Sequence, residues 1–69
     1  MVSYNKLWQL LKRRGLKPKD LCTIVGLSSS TVRALKKDQH VRMDVLERIC
    51  IALNVDIGDV CSFRAYGRQ

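Results

Sequence analysis

Residues 18–37 read PKDLCTIVGLSSSTVRALKK, which is the pattern of two short helices joined by a tight turn. Pro18 suits the first helical position, because its φ is already helical and its missing N–H would have no partner there. The apolar residues that follow have i, i+3, i+4 spacing: Leu21, Ile24 and Val25. Gly26 stands where a left-handed residue ends a helix, and Ser28 is a good N-cap for the next one. This spacing predicts a helix-turn-helix unit.

The second helix of this unit, predicted over residues 29–37, has two distinct faces. Val32 and Leu35 share one arc of the helical wheel. The opposite arc carries hydroxyl groups and positive charge, with Ala34 at its edge: Ser29, Ser30, Arg33, Lys36 and Lys37. Solvated charged faces are common, but they usually mix both signs because opposite charges at i, i+4 stabilise a helix. The single sign and the small residues therefore favour close approach to a large anionic partner.

The composition points to the same kind of partner. The chain has 69 residues, with 13 Lys and Arg against six Asp and Glu, and a formal net charge of +7. This length allows one domain with a small core. The positive charge indicates a polyanion, of which nucleic acid is the commonest soluble example.

No segment has the pattern of a membrane span or of a signal peptide. No apolar run approaches the roughly 20 residues that a membrane span needs. Residues 1–12 lack the basic start, apolar centre and cleavage site of a signal peptide. We therefore expect a cytoplasmic protein.

No residue pattern indicates an enzyme, a metal site or a cofactor. The cysteines have no close pair and predict neither a disulfide framework nor zinc binding: Cys22, Cys50 and Cys61. The serines have no histidine base near them in the pattern, and no Gly-rich phosphate loop is present. Nothing indicates a small-molecule ligand.

The first helix is predicted over residues 4–14. Ser3 can cap its start and Gly15 can end it. Its apolar stripe is Tyr4, Leu7, Leu10 and Leu11.

The second half of the chain predicts structural support. Asp44 and Glu47 have capping-box spacing, which would begin a fourth helix at Val45. Its buried stripe is Leu46, Ile49, Cys50 and Leu53. Asp56 can cap a short fifth segment. Residues 1–61 thus form the domain, and we expect the short basic tail, residues 62–69, to be mobile or to bind a partner.

Residues 3–61 resemble the lambda-repressor-like (Cro/CI-type) DNA-binding domains. The motif residues that carry the resemblance are Leu21, Cys22, Val25, Gly26, Val32 and Leu35. The segment VLERICIALNVDIGDV, residues 45–60, is similar to the fourth and fifth helices of small bacterial members. Cys22 stands where the family usually has alanine, a mild departure because a free cysteine behaves as a small hydrophobe. The resemblance implies an all-α, compact five-helix bundle whose fourth helix starts one or two residues before Val45.

By this resemblance, residues 29–37 form a recognition helix that enters the major groove. Its first, second and sixth positions, Ser29, Ser30 and Ala34, would face base edges, and the helix geometry adds Arg33. Serine can donate to or accept from several bases, whereas alanine can only contact a thymine methyl group. Family members often have glutamine at the serine positions, so selective readout depends here on a bidentate contact from Arg33 to guanine.

Five cations are the predicted phosphate contacts, which position a protein on DNA without reading sequence: Lys17, Lys19, Lys36, Lys37 and Arg42. Lys17 occupies the expected N-cap of the second helix, where the family anchors a phosphate. The alternative is a plain loop residue with water as the cap. Arg42 lies just before the next helix, at another positive dipole end.

The sequence thus predicts a transcriptional regulator that binds specific sequences of double-stranded DNA. We expect it to act as a repressor. We expect a homodimer on a two-fold operator, with the fifth helix and the tail as its contact surface. One alternative is an antitoxin or anti-repressor that acts by binding a protein. Another is sequence-independent nucleic-acid packaging.

Overall fold

The computed structural model describes residues 1–64, which form four α-helices and a small sheet. The helices are α1 (Asn5–Arg13), α2 (Asp20–Ile24), α3 (Ser29–Lys36) and α4 (Met43–Leu53). A 3-10 turn, Ile57–Asp59, follows α4. The two strands, β1 (Val2–Ser3) and β2 (Ser62–Phe63), pair antiparallel. Along this described part of the chain, every helix is too short or too polar to span a membrane.

The fifth predicted helix is only a 3-10 turn, so the five-helix count is wrong. Asp56 caps this turn as expected: its carboxylate accepts the Ile57 N–H at 2.8 Å, and its own N–H donates to Asp59 at 3.3 Å. The Asp59 and Val60 N–H groups donate to carbonyls three residues back. The segment has only three residues and the hydrogen bonds of a 3-10 turn, so it is not an α-helix.

The apolar stripes predicted for the helices form the core. Its buried side chains are Val2, Tyr4, Leu7, Leu10, Leu11, Leu21, Leu27, Val32, Leu35, Leu46, Ile49, Leu53 and Val60. Three half-buried free thiols lie against this core, those of Cys22, Cys50 and Cys61. Burial raises the pKa of the Cys50 and Cys61 thiols. A mainly helical fold around one core is therefore confirmed.

The start of α1 differs from the prediction. Ser3 lies in β1, buried, and its Oγ accepts only the Asn5 N–H at 3.3 Å, while Tyr4 takes the N-cap position. Pairing with β2 holds Ser3 extended and away from the helix end. Gly15 does end α1: at φ +70° it lets the Leu16 N–H donate to Leu11 at 2.8 Å.

The start of α4 also differs. Arg42 is the N-cap residue and Met43 the first helical residue, so the capping box predicted from Asp44 and Glu47 is wrong. Asp44 lies within the first turn, where its negative carboxylate interacts favourably with the positive end of the helix dipole. The earlier start that the resemblance implied is the one observed.

Part of the predicted tail belongs to the fold. Ser62 and Phe63 form β2, and Arg64 exchanges hydrogen bonds with Met1: its N–H donates to the Met1 carbonyl at 2.7 Å and its carbonyl accepts from the terminal ammonium at 3.3 Å. A two-residue strand has no periodicity that sequence inspection could find. The rest of the predicted tail, residues 65–69, lies outside the described residues.

Candidate nucleic-acid interface

The residues just before α2 form a tight turn, where the sequence predicted the first turn of the helix itself. The helix begins at Asp20, not Pro18, because residues 17–19 form a turn with i to i+3 hydrogen bonds of 2.9–3.1 Å. The Asp20 carboxylate accepts the Lys17 backbone N–H at 2.7 Å. The Lys17 N–H is therefore already bonded within the protein, and the observed N-cap of α2 is Lys19, which makes no side-chain capping hydrogen bond. Because its N–H is already bonded, Lys17 can contact a phosphate only through its exposed side chain.

The turn between α2 and α3 has the predicted form. Gly26 adopts φ +84°, the left-handed conformation that glycine takes without strain. Leu27 follows and is buried. The N–H groups of Val25 and Leu27 both donate to the Leu21 carbonyl, at 3.0 and 3.4 Å. The chain thus reverses within a few residues and brings α3 against α2.

Ser28 caps α3 as predicted. Its Oγ accepts the Thr31 N–H at 3.2 Å and lies 3.0 Å from Ser30 Oγ and 2.9 Å from Thr31 Oγ1. The Ser30 hydroxyl is therefore already engaged with a protein group. Ser29 has no such partner among the described hydrogen bonds and is exposed.

The outer face of α3 is as the helical wheel predicts. Val32 and Leu35 are buried, and Ala34 is half-buried. The exposed residues of the face are Ser29, Ser30, Arg33, Lys36 and Lys37. This face is called the α3 face below.

Two shallow depressions flank the α3 face. One runs towards α2 and brings Lys19 together with Ser29, Arg33 and Lys36. The other runs towards α4 and brings Arg42 together with Ser30 and Ala34. Neither depression is lined by a carboxylate. The structure thus gathers seven of the nine predicted contact residues, while Lys17 and Lys37 lie outside both depressions.

Arg42 has a competing partner. Its Nε lies 3.3 Å from the Asp44 carboxylate, and both side chains are largely exposed. An exposed ion pair of this kind contributes little stability. Arg42 can therefore exchange Asp44 for another anion at low cost.

The end of α3 is held by a contact that the sequence analysis missed. Asp38 adopts φ +54°, and its carboxylate accepts the Tyr4 N–H at 3.0 Å. The Tyr4 hydroxyl donates to the Gln39 carbonyl at 2.8 Å, and the ring is only 1% exposed. The Gln39 N–H donates back to Ala34 at 3.0 Å and closes the helix end. An aspartate just after a helix was the available signal, since Asp tolerates the left-handed region better than most residues.

Two arginines outside the α3 face are bound to protein carbonyls. Arg48 Nη2 donates to the Val25 carbonyl at 3.0 Å, and the Arg14 guanidinium donates to the Leu53 carbonyl. Each cation meets the C-terminal part of a helix, where partial negative charge accumulates. These two charges belong to the scaffold.

Metal ligation has no support in residues 1–64, where no group of three or more His, Cys, Asp or Glu side chains is placed to hold an ion. A larger concave feature is an apolar groove of about 520 Å³, which adjoins the depression towards α4 because His40 and Val41 line both. Its walls come from both strands, the 3-10 turn and the start of α4, with Tyr4, Val41, Met43, Ile57 and Phe63 among its lining residues. The groove therefore lies next to the α3 face, although no residue of that face lines it.

The comparisons agree with this geometry. A family model of the Cro/C1-type HTH DNA-binding domain matches residues 6–65, most of the chain, so the protein belongs to this family of helix-turn-helix DNA-binding domains. The resemblance found in the sequence is thereby confirmed.

A solved structure is similar over nearly the whole fold. The crystal structure of the transcriptional regulator VanUg (Form II) matches with a TM-score of 0.85 and 48% sequence identity. The match covers 88% of this chain and 81% of that one. The comparison with curated proteins found no significant match.

Proposed function

We propose that the protein is a transcriptional regulator that represses genes by binding specific double-stranded DNA with α3 in the major groove. The observation that carries the proposal is the α3 face: small and cationic side chains, flanked by depressions without carboxylates, on a helix-turn-helix scaffold. The similarity to a transcriptional regulator at 48% identity supports the regulatory role. Repression needs only that the bound protein exclude other proteins from the same DNA.

Base recognition in this proposal depends mainly on Arg33. It is exposed in the middle of the α3 face and can make the bidentate contact to guanine that is the commonest specific contact in the major groove. Ser29 offers a hydroxyl with no described protein partner, whereas the Ser30 hydroxyl is shared with Ser28. Ala34 is left with apolar contact to a thymine methyl group.

The phosphate contacts are proposed on both sides of α3. Lys19 and Lys36 share the depression towards α2, and Arg42 lines the depression towards α4. Lys17 and Lys37 are exposed at the outer ends of the unit. Cations on both flanks fit a helix that lies between two phosphate backbones.

We further propose that two copies bind a two-fold operator and meet at the apolar groove. Phe63 and Met43 line this groove and are 80% and 69% exposed, so they add to one apolar patch of the kind that marks an interaction site. A neighbouring depression, also bounded by Met43, carries Glu47 and Asp56. In a chain of charge +7, carboxylates beside the contact reduce the electrostatic repulsion between two copies. The 3-10 turn and β2, which belong to the surface that the sequence analysis proposes for the contact, both line the groove.

Selection from a random duplex library with purified protein, at about physiological salt, tests the function. We expect enrichment of a two-fold-symmetric site, here called the selected duplex. Binding without enrichment would favour nucleic-acid packaging instead. Absence of binding would favour an antitoxin or anti-repressor that recognises a protein.

Sedimentation tests the dimer. We expect two copies on the selected duplex and weaker association after Phe63→Ser, with Ile51→Ser as the control because Ile51 is 74% exposed but does not line the groove. A monomer on DNA in the wild type would remove the dimer from the proposal. Equal effects of the two substitutions would place the contact elsewhere.

A further inference from the structure

The turn between α2 and α3 is held by a side chain from α4. Arg48 Nη2 donates hydrogen bonds to the carbonyls of Val25, at 3.0 Å, and Gly26, at 3.4 Å. These carbonyls follow the last residue of α2, where a helix leaves its final C=O groups without intrahelical partners. The guanidinium therefore supplies the partners that the backbone of α2 lacks.

The contact is important because α2 is short. A five-residue helix is not stable by itself, so its position depends on the rest of the domain. Arg48 is suited to this role since a charged donor makes stronger hydrogen bonds than a neutral one. It extends from a helix that is anchored in the core by Leu46 and Ile49. The turn is thereby tied to the most apolar part of the fold.

Gly26 makes the close approach of the guanidinium possible. A Cβ atom at this position would lie 3.2 Å from Arg48 Nη2, and the backbone is at φ +84°. A side chain would therefore both strain the turn and displace the guanidinium. Gly26 and Arg48 act together across the turn.

The turn leads directly into the recognition helix. Ser28, the N-cap, lies two residues after Gly26, and Ser29 and Ser30 follow in the first turn of α3. Because α3 is one continuous helix, a change in the direction of the turn would displace all its proposed base-contacting residues together. Shifts of about 0.5 Å are enough to impair a site that depends on geometry.

We propose that Arg48 is a positioning residue for sequence recognition, which sets the angle at which α3 leaves the turn without itself touching DNA. The proposal rests on the function proposed above, because it needs a protein that discriminates between DNA sequences. Its consequence is specific: loss of Arg48 lowers selectivity, whereas loss of a phosphate contact weakens binding to all sequences alike.

Three substitutions of Arg48 separate the possible roles. Arg48→Ala removes the charge and the hydrogen bonds, Arg48→Lys keeps the charge, and Arg48→Gln keeps an N–H donor without the charge. Lys12→Gln is the control, since it removes one positive charge from an exposed position on α1. Affinities for the selected duplex and for random duplexes are measured over a salt series, at a temperature where circular dichroism shows each protein to be folded.

We expect Arg48→Ala to bind the selected duplex about tenfold more weakly, the size expected for loss of a charge-assisted hydrogen bond. Affinity for random duplexes and the salt slope stay as in the wild type, and Arg48→Gln restores part of the selectivity. Lys12→Gln keeps the wild-type ratio of affinities. Partial unfolding would lower both affinities by the same factor, so the ratio distinguishes positioning from a general loss of stability.

Two results would overturn the role of Arg48. One is an unchanged affinity ratio in Arg48→Ala. The other is a salt slope that falls by about 0.9 in Arg48→Ala and Arg48→Gln but not in Arg48→Lys, which would identify a phosphate contact. A wild-type protein without preference for the selected duplex would instead refute the proposed function, and the role of Arg48 would fall with it.

Discussion

The two ends of the recognition helix are held by different kinds of contact. At its start, Ser28 accepts the N–H of Thr31, three residues further along the chain. At its end, Asp38 accepts the N–H of Tyr4, which is 34 residues away in sequence. The first contact forms whenever the helix forms, whereas the second exists only after the chain has folded.

This difference has a functional consequence. The start of α3 carries Ser29 and Ser30, whose placement depends on a local cap and on the preceding turn. The end carries Lys36 and Lys37, whose placement depends on α1 through Tyr4. We therefore expect damage at the start to change base recognition, and damage at the end to change the stability of the whole domain.

The largest expected effect is that of removing the Tyr4 side chain. Tyr4→Ala empties a core position that is 1% exposed and should lower the free energy of unfolding by about 3–5 kcal/mol in denaturant titrations. Tyr4→Phe keeps the ring, loses the hydrogen bond to Gln39 and should cost about 1 kcal/mol. No measurable cost for Tyr4→Phe would show that the hydroxyl does not anchor the loop.

Tyr4 should also make the folded protein less stable at alkaline pH. Burial raises the pKa of the Tyr4 hydroxyl above its ordinary value of 10.0, so the unfolded chain loses this proton first as the pH rises. The stabilisation is therefore complete below pH 10 and is lost as the pH rises through the folded-state pKa. Tyr4→Phe should show a shallower alkaline loss of stability than the wild type, and an identical loss in both would contradict this assignment.

A matched pair of substitutions compares the two helix ends directly. Asp38→Ala leaves the Tyr4 N–H without its acceptor and strains a residue at φ +54°, at a combined cost of about 2–4 kcal/mol. Ser28→Ala removes only a local cap and should cost about 1 kcal/mol. Asp38→Asn, which keeps an acceptor and tolerates this conformation, is the control. Equal costs for the two alanine variants would remove the distinction between the ends.

Base recognition is tested at Arg33. Arg33→Ala should weaken binding to the selected duplex by about 1–3 kcal/mol and relax the preference at one base pair. Library selection with the variant measures both effects. An equal loss on every sequence would show that Arg33 is only a phosphate contact.

The smallest effect is expected from a single phosphate contact. Lys36→Ala should weaken binding to selected and random duplexes alike and reduce the slope of log affinity against log salt by about 0.9. Lys12→Ala, with the same charge change on α1, should leave the slope unchanged. A sequence-dependent effect of Lys36→Ala would move this residue into the group that contacts bases.

The helix-turn-helix could be predicted because its determinants are close together in the chain. Gly26, Leu27 and Ser28 behave as their residue types dictate, and the burial of Val32 and Leu35 follows from helical period alone. The α3 face was predicted for the same reason. The capping pattern of Asp44 and Glu47 misplaces the start of α4, because the helix does not use it, whereas the resemblance places this start correctly. The resemblance in turn implies a full fifth helix where the structure has one 3-10 turn.

Local pattern in the sequence therefore determined the helical unit and the cationic face of α3, since each depends on residues within one or two turns of one another. The family followed from that unit together with the pattern of residues 45–60. Tertiary structure alone decided the contacts of Tyr4 with Asp38 and Gln39, of Arg48 with the turn, of Arg14 with Leu53, and of the first residues with Ser62 and Phe63. The reason is physical: hydrogen bonds between residues tens of positions apart form only when the core has brought them together. In the sequence, a side chain that makes such a contact cannot be distinguished from one that is exposed to solvent.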